Sequence, residues 1–283
     1  MDFNTTIDVA SLKALIGSPG IAILDCRFDL AAPEAGWQAY LRQHIRGARY
    51  ADLNRDLSGP VTPSSGRHPL PAPDLIAARL GELGIGEATQ VVAYDDANGA
   101  FAARAWWLLR WLGHARVAVL DGGFKAWIAA GGALDSSEPD ECAAQRFTPR
   151  LEDEAVLNTA ELIEALKDRR RLLVDARAPE RFAGTVEPLD PVAGHVPGAV
   201  NHPFAANLSP DGRFLPPAEL KRRWLERLAG AASGNAIAMC GSGVTACHNL
   251  LALELAGLHG AKLYAGSWSE WIRDPKRPVA RGD

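Results

Sequence analysis

The chain is short of cysteine, of charge of one sign and of long hydrophobic runs, and each shortage removes a class of protein. Four cysteines in 283 residues, Cys26, Cys142, Cys240 and Cys247, form no CxxC pair and no cluster with histidine at metal-ligand spacing. A disulfide scaffold and a zinc site are therefore not expected, and any important thiol acts singly in a reducing compartment. Thirty Lys and Arg against 34 Asp and Glu leave a net charge of -4 with no basic block, so the footprint of a nucleic-acid partner is missing. The most apolar stretch, residues 100–113, is interrupted by Arg104 and Arg110 and falls short of the ~20 residues that span a bilayer. The first residues, Met1-Asp2-Phe3-Asn4, lack a positive segment and an apolar run, so no membrane partner and a cytoplasmic location are expected.

What is present is an ordinary globular composition, 47% apolar and 23% charged, in a length that suits about two domains of ~150 residues. An internal repeat organises it. Ile21 to Arg27 corresponds to Arg171 to Arg177, an apolar run closing on Asp-x-Arg. His44-Ile45-Arg46-Gly47-Ala48 corresponds to His195-Val196-Pro197-Gly198-Ala199. Gln90 to Asp95 corresponds to Asn235 to Cys240, and Leu120 to Trp127 to Tyr264 to Trp271. Four anchors in one order imply duplication. Helical stretches near residues 72–83, 101–112, 159–167, 217–228 and 246–258 alternate with the short strands. This predicts an α/β fold: two related domains, each a parallel sheet flanked by helices. The expected boundaries are 1–140, a polar linker over 141–153, and 154–283.

In parallel α/β sheets ligands gather beyond the carboxyl ends of strands, so the residues closing the matched strands carry the comparison. The first copy ends in Asp95 and the second in Cys240. Cys240 opens the loop Gly241-Ser242-Gly243-Val244-Thr245 ahead of a helix. Glycines let such a loop curl its backbone N–H groups toward the sulfur, and the helix N-terminus adds partial positive charge. Both favour an anion on Cys240, which makes it the candidate nucleophile. Asp95 has no sulfur to offer, so the first domain is expected to be catalytically silent. Cys247, beside Leu250 and Leu251, reads as a core residue, as do Trp106, Trp107 and Trp111.

These motifs resemble those of the tandem-domain rhodanese-type sulfurtransferases, and the loop from Cys240 to Ala246 is similar to that of the branch acting on 3-mercaptopyruvate. The resemblance implies an enzyme moving a sulfane sulfur from a small anionic donor, 3-mercaptopyruvate or thiosulfate, to a thiol, cyanide or protein-cysteine acceptor. The sulfur would travel as a persulfide on Cys240, with no metal or organic cofactor. Arg181, six residues after Asp175, occupies the place of the family's donor-binding arginine, and the loop residues Gly241, Gly243, Val244 and Thr245 would line the substrate site. That branch also implies a Ser-His-acid relay, assigned here to Ser242 and His44 with Glu34 as a poor match for the acid. His195 reads as structural and His68 as a turn residue in a proline-rich loop.

Gly241 and Ser242 stand where thiosulfate-preferring members carry basic residues, which favours 3-mercaptopyruvate. Against this, Glu187-Pro188 is followed by Leu189-Asp190 where that branch has a second arginine, so one arm of the carboxylate clamp is lacking or comes from elsewhere. A Cys-loop phosphatase would need an arginine six residues after the cysteine, where this chain has Ala246. A sulfur-carrier protein serving a dedicated pathway partner shares the chemistry and differs only in its acceptor.

Overall fold

Short runs of branched apolar residues form strands where the repeat places them, and the computed structural model describes residues 2–136, 142–168 and 170–282. They fall into two compact units. The first comprises Met1–Gly59, Leu70–Glu152 and Pro210–Arg213; the second comprises Pro60–Pro69, Asp153–Ser209 and Phe214–Asp283. Pro60–Pro69 thus belongs to the second unit, a departure from the simple division at 140. Part of the expected linker, together with the residues just before it, lies outside the described residues. Residues 142–152 belong to the first unit, with Gln145 N–H donating to Gly81 O at 2.9 Å and Arg150 N–H to Leu112 O at 2.9 Å.

In the first unit the order is β1 (Thr6–Ile7), α1 (Val9–Leu15), β2 (Ile21–Asp25), α2 (Ala35–Arg42), β3 (His44–Ile45), β4 (Ala48–Tyr50), α3 (Pro73–Glu82), β5 (Gln90–Tyr94), α4 (Ala102–Trp111), β6 (Val117–Leu120), α5 (Gly123–Ala129) and β7 (Leu134–Asp135). Its main sheet runs β1-β6-β5-β2-β4, and β3 pairs with β7. In the second unit β8 (Val156–Leu157), α6 (Thr159–Ala165), β9 (Leu172–Asp175), α7 (Pro179–Ala183), β10 (Val200–Asn201), α8 (Pro217–Leu228), β11 (Ala236–Met239), α9 (Thr245–Leu255), β12 (Lys262–Tyr264) and α10 (Ser267–Trp271) follow the same plan. Its sheet runs β8-β12-β11-β9-β10. Every pair in both main sheets is parallel, as helical crossovers require. Among the described residues no helix is long and apolar enough to cross a membrane.

Each core packs against the central strands: Ile23, Val92, Leu120 and Trp127 in the first unit, Leu173, Ile237, Met239 and Trp268 in the second. Trp106, Trp107 and Trp111 are buried along α4, as the helical spacing predicts. Helix α6 starts on a capping box in which Asn158 and Glu161 satisfy each other's backbone N–H groups, fixing where the strand ends and the crossover begins.

The second unit also contains a buried polar cluster. His202 Nε2 lies 3.1 Å from Asn207 Oδ1, which also accepts from Trp224 Nε1 at 3.1 Å, while Asn207 Nδ2 donates to Asn249 Oδ1 at 2.7 Å. Burial depresses the His202 imidazole to about 4, outweighing its bond to Asn207. The folded protein therefore binds fewer protons than the unfolded chain between the unfolded value near 6.5 and about 4. Stability present above pH 6.5 is lost as pH falls through that window, by at most about 3 kcal/mol from this group. Urea denaturation of wild type and His202→Gln at a series of pH values should show a smaller acid loss for the variant, even if it is weaker at pH 7. Parallel acid limbs would contradict the assignment.

Candidate active site

Strand β11, Ala-Ile-Ala-Met, is fully buried and delivers Cys240 at its carboxyl end, where only 2% of the residue is exposed. The chain must then reverse into α9 within a few residues. Gly243 makes this possible: its φ is +78°, and a Cβ there would stand 2.3 Å from Ala265 O. The resulting curl points Gly243 N–H at Cys240 Sγ, 3.1 Å away. The N-terminus of α9, beginning at Thr245, adds to the positive potential through the aligned dipoles of its peptide groups.

The base of the loop is held by the start of α10. Cys240 N–H donates to Ser267 Oγ at 3.0 Å, and that hydroxyl donates to Tyr264 O at 3.0 Å. Trp268 N–H and Ser269 N–H donate to the carbonyls of Cys240 and Gly241, at 3.0 and 2.9 Å. Ser267 occupies the left-handed region, φ +53°, at a cost of about 1 kcal/mol, which its hydroxyl offsets by holding the nucleophile's own amide.

Arg181 comes from α7, and its nitrogens Nη1 and Nη2 each lie 3.5 Å from the position a Cβ on Gly241 would take. Glu187 grips it at Nε (3.1 and 3.2 Å) and Nη2 (2.7 Å). Burial alone would raise the Glu187 carboxyl, but hydrogen bonds from Arg181 and from Leu189 N–H outweigh it and hold the group below the usual carboxylate range. Arg177 is structural, as its position beside the strand end suggests. It bonds Asp175 through Nε (3.1 and 3.0 Å) and Nη2 (2.7 Å), donates to Gly194 O at 2.8 Å and lies over the Trp268 ring.

The first unit repeats this frame with another occupant. Asp95, fully buried at the end of β5, accepts from Ala97 and Gly99 N–H on one oxygen (2.9 and 2.8 Å) and from Phe101 and Ala102 N–H on the other (2.8 Å each). Phe124 N–H donates to Asp95 O as Trp268 N–H does to Cys240 O. A loop that collects backbone donors around an anion is thus a property of the fold, filled in one copy by a carboxylate of the chain itself.

Both halves match the rhodanese-like domain family, over residues 8–130 and 158–274. The chain belongs to the rhodanese family. It is 52% identical to a probable 3-mercaptopyruvate sulfurtransferase of Pseudomonas aeruginosa over 96% of each chain. It is 35% identical to the thiosulfate sulfurtransferase of Bos taurus, over 96% of this chain and 92% of the other. The crystal structure of a 3-mercaptopyruvate sulfurtransferase from Escherichia coli superimposes with a TM-score of 0.81 at 33% identity, covering 95% of this chain and all of the other.

Within this rhodanese frame the imidazole that meets Ser242 is that of His68, with Nδ1 2.7 Å from Ser242 Oγ, both residues being buried. This corrects the expectation that His44 takes that place. The ring of His44 is buried against Tyr40 in the first unit, its centroid 4.0 Å away, with Nδ1 2.8 Å from Tyr40 O. His195 repeats that arrangement on Phe182, at 3.8 Å, with Nδ1 2.9 Å from Phe182 O. The two histidines are copies in role as well as in sequence, whereas His68 stands where the second copy has Phe214, in Gly66-Arg67-His68 against Gly212-Arg213-Phe214. Glu34 is an exposed residue at the start of α2. Val244 and Thr245 lie in the Cys240 loop and its helix start as expected, and the Cys247 thiol donates to Gly243 O at 3.3 Å from within α9.

Removing the Ser267 hydroxyl strands a buried amide, at a cost of about 1–3 kcal/mol, whereas glycine at the same position relieves the backbone strain. In urea denaturation Ser267→Ala should therefore lose about 1 kcal/mol more stability than Ser267→Gly does, with the lower midpoint. Equal or reversed midpoints would show that the left-handed backbone carries no strain.

Proposed function

We propose that the chain is a sulfurtransferase whose Cys240 takes the sulfur of 3-mercaptopyruvate as a persulfide and passes it to a thiol, cyanide or protein-cysteine acceptor. The observation that carries this reading is the Cys240 sulfur at a strand end, receiving Gly243 N–H and faced by the Arg181 guanidinium across Gly241. The Cys240 thiolate attacks the donor sulfur and the carbon–sulfur bond breaks with its electron pair going to carbon. The enolate so formed takes the donor's thiol proton and leaves as pyruvate, with Cys240 Sγ carrying the transferred sulfur as an anion. Backbone N–H groups of residues 241–245 stabilise that anion as an oxyanion hole stabilises oxygen. The acceptor then attacks the outer sulfur, the sulfur–sulfur bond breaks and its pair returns to Cys240, a double-displacement cycle.

Arg181 binds the donor carboxylate, a pairing suited to a planar guanidinium. Ser242 and His68 carry the proton from the donor thiol toward the enolate carbon, since their hydrogen bond links a hydroxyl beside Cys240 to a titratable ring. The loop itself contains no Lys or Arg, which supports the carboxylate donor over thiosulfate. Ala246 is fully buried where a phosphatase would need arginine.

With 3-mercaptopyruvate and cyanide, Cys240→Ser should form no thiocyanate. Ser242→Ala and His68→Ala should each slow turnover about 100-fold, and the double variant should be no slower than either single one, because they remove the same proton path. Multiplicative losses would contradict a shared path, and activity retained in Cys240→Ser would overturn the reading.

A further inference from the structure

Arg67 lies in Pro60–Pro69, the segment of the first half of the sequence that belongs to the second unit. This strap is pinned residue by residue. Ser65 O accepts from Arg273 Nε at 3.1 Å, and Arg67 N–H donates to Ser269 Oγ at 3.0 Å. A Cβ on Gly66 would stand 2.6 Å from Gly266 O, so the backbones touch where the strap crosses the start of α10. His68 follows with its bond to Ser242.

The pinning places the Arg67 side chain over the Cys240 loop. Its Nη2 lies 2.9 Å from the position of a Gly241 Cβ, the same point approached by Arg181. Two guanidiniums converging on one point repel unless an anion lies between them, and Asp190 supplies one. Its Oδ1 bonds Arg67 Nη1, and its Oδ2 lies 3.2 Å from Arg181 Nη2. Asp190 is 96% buried at its side chain while Arg67 is 26% exposed, so the carboxylate sits beneath and the cation faces outward. Among the described residues, Arg67 Nη2 and Arg181 Nη1 make no hydrogen bond, although both lie over Gly241. Glycine at 241 leaves the space against Arg67 Nη2 that a methyl group would fill.

We infer that Arg67 is a second donor-binding cation, forming with Arg181 a two-armed receptor above Gly241 for the carboxylate of an α-keto acid thiol, with Asp190 as the clasp that holds both arms. The inference rests on the proposed sulfurtransferase function and deepens it. The strap then contributes adjacent residues with separate tasks, Arg67 for binding the donor and His68 for moving its proton. A carboxylate held between two guanidiniums offers both oxygens to charge-assisted donors, which accounts for selection of a carboxylate at a loop without a cation of its own.

The test separates binding from chemistry. Arg67→Met should raise KM for 3-mercaptopyruvate about 10- to 100-fold, the worth of one charge-assisted hydrogen-bonded arm, with kcat changed much less. Arg67→Lys should recover part of that loss. Pyruvate, the product that keeps the carboxylate, should lose competitive inhibition by a similar factor. Discharge by cyanide of enzyme already loaded with sulfur should be unchanged, a step that needs no donor carboxylate. Gly241→Ala, which pushes Arg67 from its seat, should raise KM in the same direction. Wild-type KM and pyruvate inhibition in Arg67→Met would overturn the inference while leaving sulfur transfer intact; a loss confined to kcat, or an equal loss in cyanide discharge, would make Arg67 structural and overturn it as well. If wild type itself transfers no sulfur from 3-mercaptopyruvate, the proposed function fails instead.

Discussion

The structure depends on one arrangement: a central parallel strand that ends at an anion, with backbone N–H groups curled around it before the next helix begins. In the first unit the anion is the Asp95 carboxylate with four N–H donors. Burial raises its carboxyl from the ordinary value, and the four N–H bonds oppose that shift. In the second unit the side chain at the strand end is the Cys240 thiol, toward which Gly243 N–H points at 3.1 Å. One copy thus fills its loop with a charge of its own, and in the proposed cycle the other receives an anionic sulfur from the donor.

The frame around each loop is also duplicated, and it explains why the loops hold their shape. Asp25 binds Arg27 and Asp175 binds Arg177, both pairs buried, with Arg27 over Phe124 and Arg177 over Trp268. Each arginine reaches a carbonyl as well, Gln43 O and Gly194 O. Removing one partner of such a pair would leave a buried charge uncompensated, a loss of about 3–5 kcal/mol. These pairs lock the end of the second strand of each unit to the helix that pins the anion loop. Pairs of this kind fix position rather than add net stability, which suits a frame whose task is to aim a loop.

Much of this was legible in the sequence because it was written twice. The Asp-x-Arg strand ends, the position of Cys240 against Asp95 and the helices near 72–83, 101–112 and 217–228 follow from local pattern, and observed elements such as Pro217–Leu228 agree closely. What failed was the short segment whose unit local pattern does not reveal. His68 and Arg67 lie in a proline-rich segment without periodicity, and nothing local shows that residues 60–69 join the second unit. The resemblance directed the relay toward His44, whose ring has the same buried aromatic seat as its copy His195. The acidic Asp190, which seemed to remove an arm of the clamp, proves to hold two arginines in place.

In the proposed cycle one sulfur atom resides on Cys240 between the two half-reactions. The direct measurement is a single turnover with 3-mercaptopyruvate and no acceptor, followed by trapping, proteolysis and mass spectrometry of all four cysteine peptides. One added sulfur is expected on the Cys240 peptide alone, with release of one pyruvate per chain. Sulfur found on Cys26, Cys142 or Cys247 instead, or pyruvate released with no sulfur retained on the protein, would contradict it.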